Sequence, residues 1–243
     1  MSFDPFGDFA TEGYLRNFEK EKDLAIVKRA ENSSFTTGLN EAFTYLAKSP
    51  QLAYQHVLET HRILFGAVYP WAGQDRLQTA PKLSIKKGNV IFANPSEIRP
   101  AVDFALHKGQ DKNYMTAKPG EIMGYLAYGH PFLDGNGRTI MTVHSVLAER
   151  ARFSIDWSAT RKDDYLEALT KELEHPLKGY LDTYLKPFKR DPIAYDQLAI
   201  EIAKTPGLDG SAQNAELNEV LGDTDEATVK ARYQAMLTKR RQP

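Results

Sequence analysis

Nine residues, His130-Pro131-Phe132-Leu133-Asp134-Gly135-Asn136-Gly137-Arg138, gather a titratable base, a carboxylate, a glycine-rich turn and a guanidinium. The ordinary pKa of an imidazole lies near neutrality, so His130 could take a proton from an attacking hydroxyl. Asp134 is a hard oxygen ligand suited to a Mg2+ ion that bridges phosphates. Arg138 offers a planar fork of donors matching phosphate oxygens. Gly135, Asn136 and Gly137 lead into Ile140, Val143, Val146 and Leu147, whose spacing predicts a helix over 139–153. The first amides of such a helix lack intrahelical acceptors and sit at the positive end of its dipole, an arrangement that binds anions, phosphate above all. Pro131 fixes the backbone before the loop, and Phe132 is expected to turn inward as its anchor. The chemistry these types suit is the movement of a phosphorus group.

The run resembles the signature of the Fic family, H-P-F-x-D/E-G-N-G-R. Tyr69-Pro70-Trp71-Ala72-Gly73-Gln74-Asp75-Arg76 is similar to a second family segment, Y-x-W-A-G-x-x-R, which precedes an active-site flap. Leu83-Ser84-Ile85 and Val90-Ile91-Phe92, separated by Lys86-Lys87-Gly88-Asn89, read as a hairpin at the flap's place. The resemblance covers about residues 12 to 190. It implies an all-α, Fic-type helical bundle with a small β-hairpin flap, 83–92. It also implies Mg2+-dependent transfer of AMP from ATP to a hydroxyl of a target protein, with release of pyrophosphate. Carried over by position, His130 resembles the base, Asp134 the metal ligand, Gly135, Asn136 and Gly137 the anion hole, and Arg138 the clamp on the outer phosphates. Lys87, Gly88, Asn89 and Val90 in the flap are expected to contact nucleotide or target, the target docking by strand addition.

One feature sets this chain apart within that resemblance. Many adenylylating members continue G-N-G-R-x-x-R, whereas Met141 stands at the second arginine's place. A methionine there fills core and binds no phosphate. In many members an inhibitory glutamate, in S/T-x-x-x-E-G/N, pairs with that second arginine. Val27-Lys-Arg-Ala-Glu31-Asn32 and Thr205-Pro-Gly-Leu-Asp209-Gly210 match this loosely, and a helix end and a turn are the preferred readings of the two. Inhibition by a separate small antitoxin-type protein stays open. Doc-like toxins, which are kinases, carry Ala-Asn-Lys-Arg in the loop; Gly137 here favours nucleotidyl transfer. The alternatives are transfer of UMP, phosphocholine or phosphate at the same site, or a nucleotide-binding regulatory protein that has lost turnover.

A chain of 243 residues can bury one sizeable core. A net charge of −1 argues against general nucleic-acid binding. With no cysteine, disulfides and thiol catalysis are excluded, which agrees with a cytoplasmic protein, delivery into another cell staying open. No apolar run approaches the roughly 20 residues that span a bilayer, so no membrane role is expected.

The elements that must position the motif read as helices. Tyr14 to Ala30 is predicted to be one amphipathic helix, followed by 39–46, 51–68, a helix opening at Asn94-Pro95, and another at Lys118-Pro119 that carries His130 at its end. Helices over 162–173 and 177–185 follow, with Asp163-Asp164 as first-turn charge. His56, His61, His107, His144 and His175 show no metal-ligand spacing. Residues 1–190 are therefore expected to form the Fic domain. Residues 191–243 are expected to form a small helical appendage or to dock back on the core, with helices over 193–203, 212–221 and 225–237.

Overall fold

Turn chemistry, rather than apolar spacing, decides where the first long helix starts. Asn17 ties down a turn: its Nδ2 donates to the carbonyls of Tyr14 (3.0 Å) and Glu21 (2.8 Å), and its Oδ1 accepts from the Glu21 amide (2.8 Å). Leu15, Arg16 and Lys20 lie in the left-handed region. The helix begins only at Leu24, where the Asp23 carboxylate accepts from the Ala25 amide at 2.8 Å, an N-cap. The expected helix over 14–30 is thus corrected to a single 3-10 turn, a coil and then a helix that runs on without a break to Lys48.

The computed structural model describes residues 3–205, 208 and the backbone of 219–221. In chain order the helices are α1 (Phe9–Glu12), α2 (Leu24–Lys48), α3 (Tyr54–Phe65), α4 (Arg76–Thr79), α5 (Ile98–Gly109), α6 (Lys112–Ala117), α7 (Pro119–Gly129), α8 (Asn136–Arg150), α9 (Lys162–Glu174), α10 (Tyr180–Leu185) and α11 (Tyr195–Ala203). The strands are β1 (Ser84–Lys87), β2 (Val90–Ile91), β3 (Ser154–Ile155), β4 (Lys189–Arg190) and β5 (Glu219–Leu221). The architecture is a helical bundle with a small antiparallel hairpin, as the sequence led us to expect. Among the described residues no helix is long and apolar enough to cross a membrane.

At the centre lies α8, packed on α2, α3 and α7. Its expected apolar face, Ile140, Val143, Val146 and Leu147, is buried, each such side chain contributing about 1.5–3 kcal/mol. Thr139, Met141, Thr142, His144, Ser145 and Ala148 are buried as well, so this helix is enclosed on nearly every side. At its far end Arg150 donates to the carbonyls of Leu46 (2.9 Å) and Ser49 (2.5 Å), which satisfies the C-terminus of α2.

β1 and β2 pair antiparallel with Lys87 opposite Val90, leaving Gly88 and Asn89 as a two-residue turn in which Gly88 has φ +56°. Lys86 and Lys87 therefore extend the first strand rather than belonging to the turn. On its other side β1 pairs with β5, so the sheet order is β2-β1-β5. Residues 219–221 are a strand where the sequence suggested the end of a helix; the expected helices over 212–218 and 225–237 lie outside the described residues. The start of the expected appendage packs on the core: Leu198, Ala199 and Ile202 of α11 are buried against α2, and Tyr195 stacks on Phe43 at 5.5 Å.

Candidate active site

His130 caps α7 in a left-handed conformation, φ 41° and ψ 59°. For a residue other than glycine this is a strained state that persists only where its surroundings impose it. Those surroundings are Arg76 and Phe92. Arg76, fully buried, donates from Nε to the His130 carbonyl (2.8 Å) and from Nη2 and Nη1 to the carbonyls of Ala93 (2.7 Å) and Leu83 (3.3 Å). Its own amide donates to the Pro131 carbonyl at 2.7 Å. One guanidinium thus ties both feet of the hairpin to the loop. Phe92, just after β2, stacks on the His130 ring with centroids 3.9 Å apart. Burial, with the positive charges of Arg76 and Lys87, pushes the His130 imidazole well below its ordinary pKa. Its Nε2 is buried and has no hydrogen-bond partner among the described residues. This is a neutral ring with an unpartnered nitrogen available to an incoming hydroxyl, as a general base requires.

Beyond His130 the loop is held from inside. Phe132 is fully buried, as expected, and stacks on His61 with centroids 3.7 Å apart. The Gly73 amide donates to His61 Nδ1 (3.0 Å), so Nε2 carries the proton and donates to the Asp134 carbonyl (3.1 Å). Burial lowers this imidazole to about 3, which keeps it neutral. The Asn136 side chain exchanges two hydrogen bonds with the backbone of Phe132, at 2.8 and 2.7 Å. It therefore shapes the loop and leaves anion binding to backbone amides. Gly135 has φ +75°, and a Cβ there would lie 2.6 Å from the buried Phe65 ring, so glycine is required. At Gly137 a Cβ would meet nothing within 4 Å: the loop faces open space at the N-terminus of α8. Asn136, Gly137 and Arg138 supply the first-turn amides that helix geometry leaves without an intrahelical acceptor.

Four charged side chains close the floor of the site. The Asp134 carboxylate accepts from the Gly135 amide (2.6 Å), from the Tyr14 hydroxyl (3.3 Å) and from Lys28 Nζ. Lys28 Nζ also donates to both oxygens of Glu31 at 3.1 Å. Arg138 donates from Nη2 to Glu31 at 2.6 Å, stands 4.0 Å from Asp134, and lies over the Phe65 ring at 4.6 Å. Tyr69 donates its hydroxyl to Glu31. Burial alone would raise the Asp134 carboxyl, but Lys28 and Arg138 override it and hold the group well below the usual carboxylate range. Burial likewise works against the charges on Lys28 and Arg138, and the two carboxylates raise both pKa values despite it.

Asp134 is therefore an ionised hard oxygen donor. Among the described residues no group of three or more His, Cys, Asp or Glu could hold a metal. The residues fit an ion held by one carboxylate together with phosphates, the habit of Mg2+ rather than of an all-protein cage.

His130, Asp134, the Gly135–Arg138 turn and Lys87 are brought together; Gly88 and Asn89 are exposed at the hairpin tip, and Val90 is buried. Met141 lies buried in α8. Glu31, whose segment reads from sequence as a helix end, pairs with Arg138. Lys28, Tyr14 and His61 also escaped the sequence reading, and Tyr69 entered it only as the head of the Y-x-W-A-G-x-x-R segment; for Glu31 the one signal was the weak Glu31-Asn32 motif.

The Fic/DOC family model matches residues 51–148, from before α3 through the hairpin and the nine-residue loop into α8. The chain belongs to the Fic/DOC family. It is 33% identical over 175 residues to the protein adenylyltransferase VbhT of Bartonella schoenbuchensis, a match that takes in 69% of this chain and 35% of VbhT. The chain thus spans about a third of that relative's length. Among solved structures, this Fic chain resembles BepC of Bartonella tribocorum with bound AMPPNP: TM-score 0.58, 16% identity, 73% of this chain and 92% of that one. The Fic domain of a VirB-translocated Bep effector from Bartonella quintana, with bound ADP, gives 0.55 at 21% identity over 70% and 88%. At such identities these structures establish the fold. Tyr14, Lys28 and Glu31 all precede the segment that matches the family model.

Proposed function

We propose that this Fic domain transfers AMP from ATP to a hydroxyl of a target protein. The observation that carries the reading is the buried, unpartnered Nε2 of a neutral His130 beside a loop whose amides, Arg138 and Asp134 suit a polyphosphate. The likeness to an enzyme named protein adenylyltransferase supports it. In this scheme Nε2 takes the proton of the target hydroxyl as its oxygen bonds to the α-phosphorus. The bond from that phosphorus to the bridging oxygen breaks, pyrophosphate leaves, and the proton passes on to solvent. The amides of 136–138 and the Arg138 guanidinium orient the phosphates, and the open space at Gly137 favours their close approach. Asp134 would hold Mg2+, which when bound neutralises phosphate charge.

The target segment would add as a strand beside the hairpin, where Lys87 lies close enough to lower the His130 pKa. With β5 on one side of β1, it would replace β5 or use the side of β2 that pairs with no strand among the described residues. The Glu31–Arg138 pair supports an internal brake, because phosphates and Glu31 would compete for one guanidinium. A brake inside the chain removes the need for an antitoxin-type partner to supply that carboxylate.

The test is intact mass of the protein, wild type and His130→Ala, after incubation with Mg2+ and each nucleoside triphosphate, alone and with candidate target proteins. Gain of one AMP that depends on His130 is expected. Gain of UMP or phosphate instead would redirect the assignment.

A further inference from the structure

Lys28 has a place in the site that neither the motif nor the family model covers. Its Nζ lies within hydrogen-bond reach of three carboxylate oxygens, one on Asp134 and two on Glu31, and 5.4 Å from the Tyr14 ring centroid. Its side chain is 14% exposed, so the ammonium has exchanged most of its water for these partners. Asp134 and Glu31 balance Lys28 and Arg138 charge for charge. We propose that Lys28 is the resident cation of Asp134, and that a divalent metal gains this carboxylate only by displacing it.

The inference rests on Asp134 as the metal ligand of the proposed function. A divalent ion on the Asp134 oxygen that Lys28 now contacts would face an ammonium a few ångströms away. At that separation, in a site with little water, repulsion greatly exceeds thermal energy, so the two cations exclude one another. Metal affinity then includes the cost of moving Lys28. A departing ammonium leaves Glu31 with Arg138 and Tyr69 as remaining partners, so the floor of the site survives the exchange.

The experiment measures Mn2+ binding to the whole chain by electron paramagnetic resonance, without nucleotide and with saturating ADP. The proteins are wild type, Lys28→Met, Lys28→Gln, Lys28→Arg, Asp134→Asn and the double variant Lys28→Met/Asp134→Asn. Lys28→Met should bind Mn2+ roughly tenfold more tightly or better, since a like charge next to the ion is gone. Lys28→Arg, which keeps the charge, should stay near wild type; Lys28→Gln, neutral but still able to donate to the two carboxylates, should show the same gain as Lys28→Met and serves if the methionine variant does not fold. In the Asp134→Asn background the gain should vanish, because the two residues act as a pair. Equal affinity in Lys28→Met and wild type, or a gain that persists without Asp134, overturns the role of Lys28 alone. Unchanged affinity in Asp134→Asn overturns the metal assignment, and Lys28's role falls with it.

Discussion

The proposed base, His130, and the proposed clamp, Arg138, make separate, measurable predictions. The His130 imidazole is held well below its ordinary value by burial and by Arg76 and Lys87. A lowered pKa keeps the ring unprotonated through neutrality, so AMP transfer should stay level from about pH 8 to pH 6.5 and fall only in more acid solution. A pH–rate profile checks this; a midpoint at or above an ordinary histidine's would contradict it. Glu31→Gln should act in opposite directions on two observables. Lys28 and Arg138 lose the carboxylate they share and keep Asp134 as their one remaining carboxylate partner, which costs about 3 kcal/mol of stability as a broken buried ion pair. The same loss frees Arg138 for phosphates, so ATP should bind several-fold more tightly. Thermal unfolding and calorimetric titration read the two effects. How much of this was legible follows from distance along the chain. His130, Asp134 and Arg138 are contiguous, and their types state their chemistry. Lys28 and Glu31 reach the same site from 106 and 107 residues away. On their own helix they look like an ordinary i,i+3 surface pair, and only folding turns that face inward.

At the scale of elements, apolar spacing identified the helices that bury one face and missed what polar side chains dictate. The helix after the loop was legible from four aliphatic residues. The coil before α2 was not, because one Asn17 side chain overrides the periodicity of its neighbours. The hairpin was legible as two short apolar runs about a glycine turn, but its third strand was not, since 219–221 gains its partners only from β1. The pairing has a direct test, because the chain holds no cysteine. Lys86 and Glu219 stand opposite one another, so Lys86→Cys/Glu219→Cys should form a disulfide on oxidation. That link should suppress modification of target proteins that use this side of β1 while leaving ATP binding unchanged. Reduction should restore modification, as gel mobility and intact mass of the target would show.

At the scale of the whole molecule, α11 packs on α2 across the point where the composition changes. A chain cut after Arg190 loses Tyr195, which stacks on Phe43, and the buried Leu198 and Ile202. Two fully buried aliphatic side chains alone contribute about 4 kcal/mol, a large part of the stability of a typical domain. The cut at 190 should therefore melt well below a chain cut after Thr205, which keeps α11; calorimetry of the two decides it. The polar sequence past 190 left open whether this segment docks, because α11 has only three buried residues over two and a half turns. Another consequence lies in how α8 grips α2 at two points. Arg138 takes Glu31 at one end, and Arg150 takes the last carbonyls of α2 at the other. Twelve residues of helix, about 18 Å, separate the two arginines. The pair of helices is a beam pinned at both ends, with the proposed brake carboxylate on one pin. Arg150→Ala withdraws the far pin without touching the nucleotide site. A beam released there is freer to tilt, so this distant change should loosen Glu31 from Arg138 and raise ATP affinity, an outcome that titration of the variant would read directly.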